Sequence, residues 1–311
     1  MNVKILSYSW CVMFSGICIG LLYYGVLDVF NPRMRNDCKM TYMYPHYKKV
    51  QLSKNATALG PQLAKYGLYT YTEGSVGDVA AKGKVRVQPV LFIPGNAGSY
   101  KQVRSIASET ARQTWSLGRE NRQPLTKFAF YAIDFDEEFS AFNGRSLLAQ
   151  TRFTDICVKE ILAKYDAGAQ LILLGHSMGG VIARGVTHMY NYDTKTIRGI
   201  VTLNTPHNYP VFAHSMRLNN YYRMLNTRNE TAEGALNGIP VVSVGGGFRD
   251  SLVNTKLTDI GSTENRYSAI SSSIPGVWAS ADHQVNIIYP HKNFVFFKYF
   301  SFFSASLGVT R

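Results

Sequence analysis

A serine at the centre of a glycine-flanked pentapeptide is the residue of this sequence best placed to do chemistry. The pentapeptide is GHSMG, with Ser177 in the middle, and it follows the apolar run LILL at 171–174. Apolar residues at helical spacing come next, so 171–184 predicts a strand, a sharp turn and a helix. Glycine at 175 and 179 is expected because a side chain there would collide with a neighbouring strand or helix. Since the pentapeptide also recurs by chance, the flanking strand and helix are what favour a strained turn that exposes a nucleophile.

A serine hydroxyl is a weak nucleophile, so this chemistry needs a histidine to take its proton and a carboxylate to orient that histidine. His283 lies in a polar turn, ADHQ, and is preferred to His291 because loops carry most catalytic histidines. His176 adjoins the serine and cannot reach back to its hydroxyl. His207 is expected to line the pocket or to satisfy a turn.

Two carboxylates compete for the orienting role. Asp250 follows the strand predicted at 240–244, which is the topologically suitable place, and it is the preferred acid. Asp282 adjoins His283, but neighbouring side chains in a loop usually diverge, and triads are decided by geometry. Asp282 therefore stays the alternative, and Asp250 could instead close an Asx turn after the glycines.

The loop PGNAGS at 94–99 is expected to stabilise the charge that develops in the reaction. It follows the apolar strand predicted at 87–93 and precedes a predicted helix. Backbone N–H groups of Asn96 and Met178 would hold the carbonyl oxygen as it becomes negative. The loop lacks the GK[ST] ending and the G-x-G-x-x-G spacing of nucleotide-binding loops. The predicted chemistry is acyl transfer from an ester followed by hydrolysis, with no cofactor and no metal.

Alternating strands and helices must position these residues. Further strands are predicted at 65–72, 127–135 and 197–203, and a helix at 146–165. Strands separated by helices predict a mostly parallel sheet with helices on both faces. The serine turn and the chain order Ser, Asp, His are typical of α/β-hydrolases. The polar stretch 207–237 is expected to form a wall or cap over the site, or a plain surface excursion.

The N-terminus contains 23 consecutive residues without a charge, at 5–27. A helix of that length crosses a hydrocarbon core of about 30 Å. No small-residue cleavage site closes the run and it is apolar on every face, so it predicts a retained transmembrane anchor rather than a removed signal peptide or a core helix. Basic residues after the run favour a cytosolic side for the remainder. Sequons at Asn55 and Asn229 favour a secretory lumen instead, and the two signals leave the side open.

Composition excludes several function classes. The 311 residues are 46% hydrophobic and 17% charged, which is ordinary for a folded globule. The net charge of +13 comes from 33 scattered Lys and Arg without a nucleic-acid-binding motif, so a basic surface beside anionic lipids is preferred to a nucleic-acid partner. Four cysteines without C-x-x-C spacing argue against zinc and thioredoxin-type chemistry. Cys38 and Cys157 could form a disulfide in an oxidising compartment.

Several segments together closely resemble GPI (glycosylphosphatidylinositol) inositol-deacylases. They are CKMTYMYPHY at 38–47, VLFIPGNAGSYKQVRSIAS at 90–108, GHSMGGVIAR at 175–184, VGGGFRD at 244–250 and SSSIPGVWASADHQ at 271–284. The resemblance spans roughly residues 20–288. It implies an endoplasmic reticulum membrane enzyme with a lumenal hydrolase domain, which removes the fatty acyl chain from the inositol of GPI-anchored proteins. It matches Ser177 to the nucleophile, His283 to the histidine and Asp250 to the acid.

The last part of the sequence departs from that family. Its members continue after the hydrolase domain with further lumenal segments and membrane spans, whereas this sequence ends in an aromatic stretch. We therefore expect a C-terminally truncated form with a membrane anchor at 1–30, an α/β-hydrolase domain at 31–290 and a divergent tail at 291–311. Two alternatives stay open, namely an endoplasmic reticulum lipase or phospholipase of broader specificity and a non-catalytic module that binds GPI-anchored proteins.

Overall fold

A computed structural model describes most of the chain between residues 3 and 283. The described ranges are 3–29, 42–53, 63–74, 86–119, 126–189, 192–229, 236, 238–261, 265–274 and 282–283. The predicted tail at 291–311, together with Cys38, Asn55 and His291, lies outside them. The chain divides into two compact units, Met1–Lys39 and Met40–Arg311.

The first unit contains helix α1 (Val3–Val29). A helix was predicted over 5–27, and that conformation is confirmed. Among the residues that the structure describes, no helix combines the length and the apolar character needed to cross a membrane. The transmembrane part of the prediction is therefore not confirmed.

The second unit is built on an eight-stranded sheet in the order β1-β2-β4-β3-β5-β6-β7-β8. The strands are β1 (Pro45–Lys49), β2 (Gly67–Glu73), β3 (Arg86–Ile93), β4 (Thr126–Asp134), β5 (Leu171–His176), β6 (Ile197–Leu203), β7 (Val241–Gly245) and β8 (Arg266–Ile270). Strand β2 runs antiparallel to β1 and β4, and every other neighbouring pair is parallel. The predicted mostly parallel sheet is confirmed.

Helices cover both faces of this sheet. They are α2 (Arg104–Arg119), α3 (Gly144–Leu162), α4 (Met178–Thr187) and α5 (Met216–Asn229). Side chains of β3 alternate between two cores, because successive residues of a strand point to opposite faces. Leu91 and Ile93 pack with α3, α4 and α5, whereas Val90 and Phe92 pack with α2. Each fully buried side chain of this size contributes about 1.5–3 kcal/mol to folding, so the sheet is a rigid support for the loops at its edge.

Helix α5 lies within the polar stretch 207–237, for which no helix was predicted. Leu218, Tyr222 and Leu225 of this helix are buried in the same core as α3 and α4. Their spacing of four and three residues is that of one helical face. The prediction missed the face because these residues are interspersed with arginine and asparagine, which make the stretch look polar overall. The segment before the helix contacts the loop after β4, and its predicted role as a wall over the site stays a prediction.

The carboxyl ends of the parallel strands bring the predicted site residues to one edge of the sheet. Asn96 follows β3, Ser177 follows β5 and Asp250 follows β7. In open α/β sheets this edge is where ligands bind. Strand β8 has no counterpart among the predicted strands, because its residues RYSAI are partly exposed and show no clear apolar alternation.

Candidate active site

Ser177 occupies the sharp turn between β5 and α4. Its backbone has φ 52° and ψ −123°, in a region that L-residues other than glycine rarely adopt. The Ser177 amide donates to the Leu203 carbonyl on β6 at 2.8 Å, which anchors the turn to the neighbouring strand. This is the strained conformation that the pentapeptide predicted.

Close packing around the turn explains its glycines. A Cβ atom on Gly175 would lie 2.5 Å from the Gly180 Cα, and one on Gly179 would collide with the Ile93 carbonyl oxygen at the end of β3. A Cβ on Gly95, in the loop after β3, would lie 2.7 Å from the Ser177 Cβ. The loop that contains Asn96 therefore approaches the serine directly, as an oxyanion-binding loop must.

The structure joins His283 with Asp250. The Nδ1 atom of His283 lies 2.9 Å from Oδ2 of Asp250, and both side chains are buried. The other carboxylate oxygen, Oδ1, accepts from the Leu252 and Val253 amides at 3.0 and 2.8 Å, so the carboxylate cannot rotate freely. Asp282 is exposed, and this geometry supports Asp250 rather than Asp282 as the acid that orients His283. Because Nδ1 donates to the carboxylate, Nε2 is left as the proton-accepting nitrogen.

The backbone of His283 is held next to the serine turn. Its carbonyl oxygen accepts from Nε2 of His176 at 3.0 Å and from Nδ2 of Asn204 at 3.2 Å. The rings of His176 and His283 have their centroids 4.9 Å apart. Burial lowers the pKa of His176 to about 3, and the neighbouring His283 adds to this effect. His176, which directly precedes Ser177, is thus a neutral donor that holds the backbone of His283 beside the serine turn.

The backbone amides of Asn96 and Met178 were predicted to stabilise an oxyanion. Met178 is the first residue of α4, and the amide of a first helical residue has no carbonyl one turn earlier to which it could donate. The side chain of Asn96 is engaged elsewhere, because its Oδ1 accepts from the Ala141 amide at 2.9 Å. This contact anchors the loop that contains Asn96, whose backbone N–H was predicted to hold the oxyanion. The catalytic roles of all these residues stay predictions, although the geometry suits them.

Residues 84–296, more than half of the chain, match the family described as PGAP1-like alpha/beta domain. The chain belongs to this family. Residues before 84 extend the PGAP1-like domain with strands β1 and β2 of the same sheet.

Full-length relatives of this PGAP1-like protein carry the name GPI inositol-deacylase. The proteins of Xenopus laevis and Mus musculus are each 37% identical to it, over 280 and 290 residues. The protein of Chaetomium globosum is 32% identical over 311 residues. These matches cover 87–88% of this chain but only 29%, 30% and 26% of the respective relatives, so the chain spans less than a third of their length. Among solved structures, TT1662 from Thermus thermophilus superposes with a TM-score of 0.49 at 14% identity, covering 78% of this chain and 93% of TT1662, and a likeness this distant says nothing about activity.

Sequence reasoning missed a buried arginine in the PGAP1-like domain. Arg184 of α4 is 2% exposed and donates to the His207 carbonyl and to Oδ1 of Asn226, both at 3.0 Å. Nδ1 of His207 accepts from the same guanidinium, and Nε2 donates to Oγ1 of Thr202 at 2.9 Å. Burial lowers the pKa of Arg184 to about 10 and that of His207 well below its usual value. The signal available in the sequence was a single charged residue, Arg184, at the end of the apolar segment VIAR.

His207 was predicted either to line the pocket or to satisfy a turn, and its burial argues against the first of these. It is fully buried between β6 and α4, so it does not line a pocket. The alternative, that it satisfies a local structure, is the one that the hydrogen bonds support. Its ring links the helix that begins at the nucleophile to the segment that precedes α5.

The remaining sequence expectations concern cysteines, sequons and metals. Cys157 is a free thiol buried in α3, whereas Cys38, the partner that was considered for it, lies outside the described residues. Burial raises the pKa of this thiol well above its usual range. Asn229 is the last residue of α5, and its glycosylation stays a prediction. Within the described residues, no group of three or more His, Cys, Asp or Glu side chains could hold a metal ion.

Proposed function

We propose that this protein is a serine hydrolase that removes the fatty acyl chain ester-linked to the inositol of GPI-anchored proteins. The observation that carries the proposal is the buried His283–Asp250 pair, held against a strained serine turn in a PGAP1-like domain. Relatives named GPI inositol-deacylase supply the substrate class. Because the chain covers under a third of those relatives, its own activity requires a direct test.

The proposed reaction proceeds in two steps. Ser177 Oγ attacks the ester carbonyl carbon while Nε2 of His283 takes the hydroxyl proton, and Asp250 stabilises the resulting imidazolium. The amides of Asn96 and Met178 hold the negative carbonyl oxygen. The inositol oxygen leaves with the proton from His283, and the fatty acid remains as an acyl ester on Ser177. His283 then takes a proton from water, whose oxygen attacks this ester, and returns the proton to Ser177 Oγ as the bond to the serine breaks and the free fatty acid leaves.

The decisive experiment replaces the nucleophile in cells that lack their own deacylase. Acylated inositol blocks phosphatidylinositol-specific phospholipase C, so expression of the wild-type chain should make a GPI-anchored reporter releasable by this phospholipase. Ser177→Ala and Asp250→Asn should leave the reporter resistant. Ser251→Ala, which changes an exposed serine after β7, is the matched control and should behave as wild type.

Two outcomes would favour the alternatives. If the folded wild-type chain binds the reporter without changing its sensitivity, or if Ser177→Ala restores sensitivity as well as wild type, the catalytic proposal is wrong and a binding module is favoured. If the purified protein releases fatty acid equally from acylated GPI and from phosphatidylcholine, a lipase of broader specificity is favoured.

The location in the endoplasmic reticulum membrane, with the hydrolase domain in the lumen, is part of the same proposal. It is supported by the family resemblance, by the sequons at Asn55 and Asn229, and by the uncharged run at 5–27. Since no spanning helix is found among the described residues, a direct test is needed. Endoglycosidase H should increase the mobility of the wild-type chain but not that of the Asn55→Gln/Asn229→Gln variant, and alkaline carbonate should leave the chain in the membrane pellet. An unglycosylated or extractable chain would contradict the proposal.

A further inference from the structure

Three phenylalanine rings form an exposed cluster beside the candidate site. Phe142 stacks on Phe212 with centroids 5.1 Å apart, and Phe139 lies 6.5 Å from Phe142. The rings of Phe139, Phe142 and Phe212 are 61%, 45% and 50% exposed. We call these three residues the aromatic platform. Phe139 and Phe142 lie in the loop after β4, and Phe212 precedes α5.

The platform is tied to the loop that contains Asn96. The Ala141 amide, directly before Phe142, donates to Oδ1 of Asn96 at 2.9 Å. The Glu138 carbonyl, directly before Phe139, accepts from the Ala97 amide at 3.1 Å. Two of the three rings are therefore one residue away from hydrogen bonds to the oxyanion loop. An acyl chain whose carbonyl is held by this loop would therefore begin next to the platform.

The loop after β4 and the segment before α5, which together carry the three rings, contact each other. Nε2 of His214 lies 3.2 Å from the Phe142 carbonyl, and its ring is 6.0 Å from the Phe142 ring. A Cβ atom on Gly144, the first residue of α3, would lie 2.8 Å from the Leu218 amide of α5, which shows how closely the two helices approach. The two segments that carry the rings are thus held close to each other.

The chemistry around the platform selects an uncharged aliphatic ligand. Exposed charges next to it in sequence are Asp136 and Glu137 on one side and Arg145 and Arg217 on the other, so the two signs balance. A surface without excess charge offers no ionic attraction for a head group or a nucleic acid. Three exposed rings instead gain free energy when hydrocarbon covers them, in proportion to the apolar area removed from water. Met216, the first residue of α5 and 81% exposed, adds an adaptable apolar side chain four residues after Phe212.

We propose that the aromatic platform binds the hydrocarbon chain of the ester whose carbonyl is attacked by Ser177. The inference rests on the proposed function, because it assumes that the acyl group is a fatty chain. It assigns Phe139, Phe142 and Phe212 to selection for chain length, a role separate from bond cleavage. The substrate's own chain, rather than the lipid bilayer, is the occupant.

The test uses the full chain and two alkyl fluorophosphonates, with ethyl and dodecyl chains, both below their micellar concentrations. These reagents label an activated serine in one step, and the measured quantity is the ratio of the dodecyl to the ethyl labelling rate. The Phe142→Ser/Phe212→Ser variant should lower this ratio about tenfold, since it removes most of the apolar area that the chain covers. Tyr42→Ser is the matched control and should leave the ratio unchanged. Tyr42 is 76% exposed and precedes β1, whose first residues lie at the opposite end of the sheet.

The outcomes separate this inference from the proposed function. Absence of Ser177 labelling by either reagent contradicts the proposed function, and chain binding is then read from titration with the fluorescent fatty acid cis-parinaric acid, which the double variant should bind about tenfold more weakly. A labelling ratio that the double variant leaves at the wild-type value overturns the inference, as does undiminished binding of cis-parinaric acid. Weaker binding to phosphatidylcholine vesicles with an unchanged ratio would also overturn it, in favour of a bilayer contact.

Discussion

Hydrogen bonds hold both the ring and the backbone carbonyl of His283. Asp250 accepts from its ring, while His176 and Asn204 donate to its carbonyl oxygen. A catalytic histidine must keep its ring within a fraction of an ångström of the reactive geometry, because small displacements cost large factors in rate. In the proposed mechanism, His176 therefore acts on the reaction through His283, as a positioning residue.

We predict that this role can be separated from folding. His176→Leu removes the donor, and the kcat for p-nitrophenyl acetate should fall about five- to tenfold with little change in KM, since one net hydrogen bond is worth about 1 kcal/mol. His176→Gln retains a side-chain N–H donor and should recover most of the loss. Thermal melting of both variants serves as the control, and a loss of kcat that merely follows the unfolded fraction would contradict a positioning role.

At this scale the sequence could predict residue types and their chain order, but not the contacts that join distant residues. Ser177, Asp250 and His283 were recognisable from motifs and from their position after predicted strands. The choice between Asp250 and Asp282 depends on a contact across 33 positions of the chain. The contact of His176 with the His283 carbonyl and that of Arg184 with His207 likewise join elements whose packing no local pattern encodes.

At the scale of the element, the loop after β4 supports the oxyanion loop through Glu138. The carboxylate of Glu138 accepts from Tyr66, Lys65, Ser146 and Gln150, and its carbonyl accepts from the Ala97 amide. Burial would raise the pKa of Glu138, but hydrogen bonds from Tyr66, Lys65 and Ser146 outweigh it and lower the pKa. One side chain thus fixes the loop from which both the platform and the support of Asn96 extend.

Glu138→Ala should loosen this loop without touching the predicted triad. We expect the kcat for a soluble ester to fall about tenfold, because the Asn96 amide is no longer held in place, and the melting temperature to fall by about 2–4 °C per kcal/mol lost. Glu137→Ala is the matched control, since Glu137 is the neighbouring exposed carboxylate. Equal effects of the two substitutions would show that the loop does not depend on the Glu138 hydrogen bonds.

The elements themselves were largely predictable where apolar residues are continuous. Strands β3, β5 and β6 are buried along most of their length, and each contains a short apolar run, namely VLFI, LILL and GIV. Helix α5 and strand β8 escaped prediction because only part of each is buried, and the polar remainder hides the period. Such segments take their conformation from packing against the sheet, which single-sequence patterns do not contain.

At the scale of the whole molecule, two buried neutral histidines make folding sensitive to acid. Burial lowers the pKa of His176 to about 3 and that of His207 well below its usual value. In the unfolded chain both protonate near pH 6.5, so the unfolded state binds more protons below that pH. The stability that they contribute is fully present above about pH 6.5 and is lost as the pH falls towards the folded-state pKa.

We therefore expect the free energy of unfolding to decrease between pH 6.5 and pH 4, by up to about 1.4 kcal/mol per pH unit for each buried histidine. Urea unfolding at a series of pH values measures this slope. His176→Gln should flatten it, because glutamine can donate to the same carbonyl but does not titrate. A slope in the variant as steep as in wild type would show that His176 does not govern the acid response.

The backbone of Ser177 sets activity against stability. Its positive φ costs on the order of 1 kcal/mol or more relative to glycine, and this cost is incurred whether or not substrate is present. Ser177→Gly should therefore melt about 2–4 °C above the wild-type protein by calorimetry, whereas Ser177→Ala, which keeps a Cβ, should not. Selection for stability alone would replace Ser177 with glycine. A serine at this position thus records selection for a function that the folded state does not itself require.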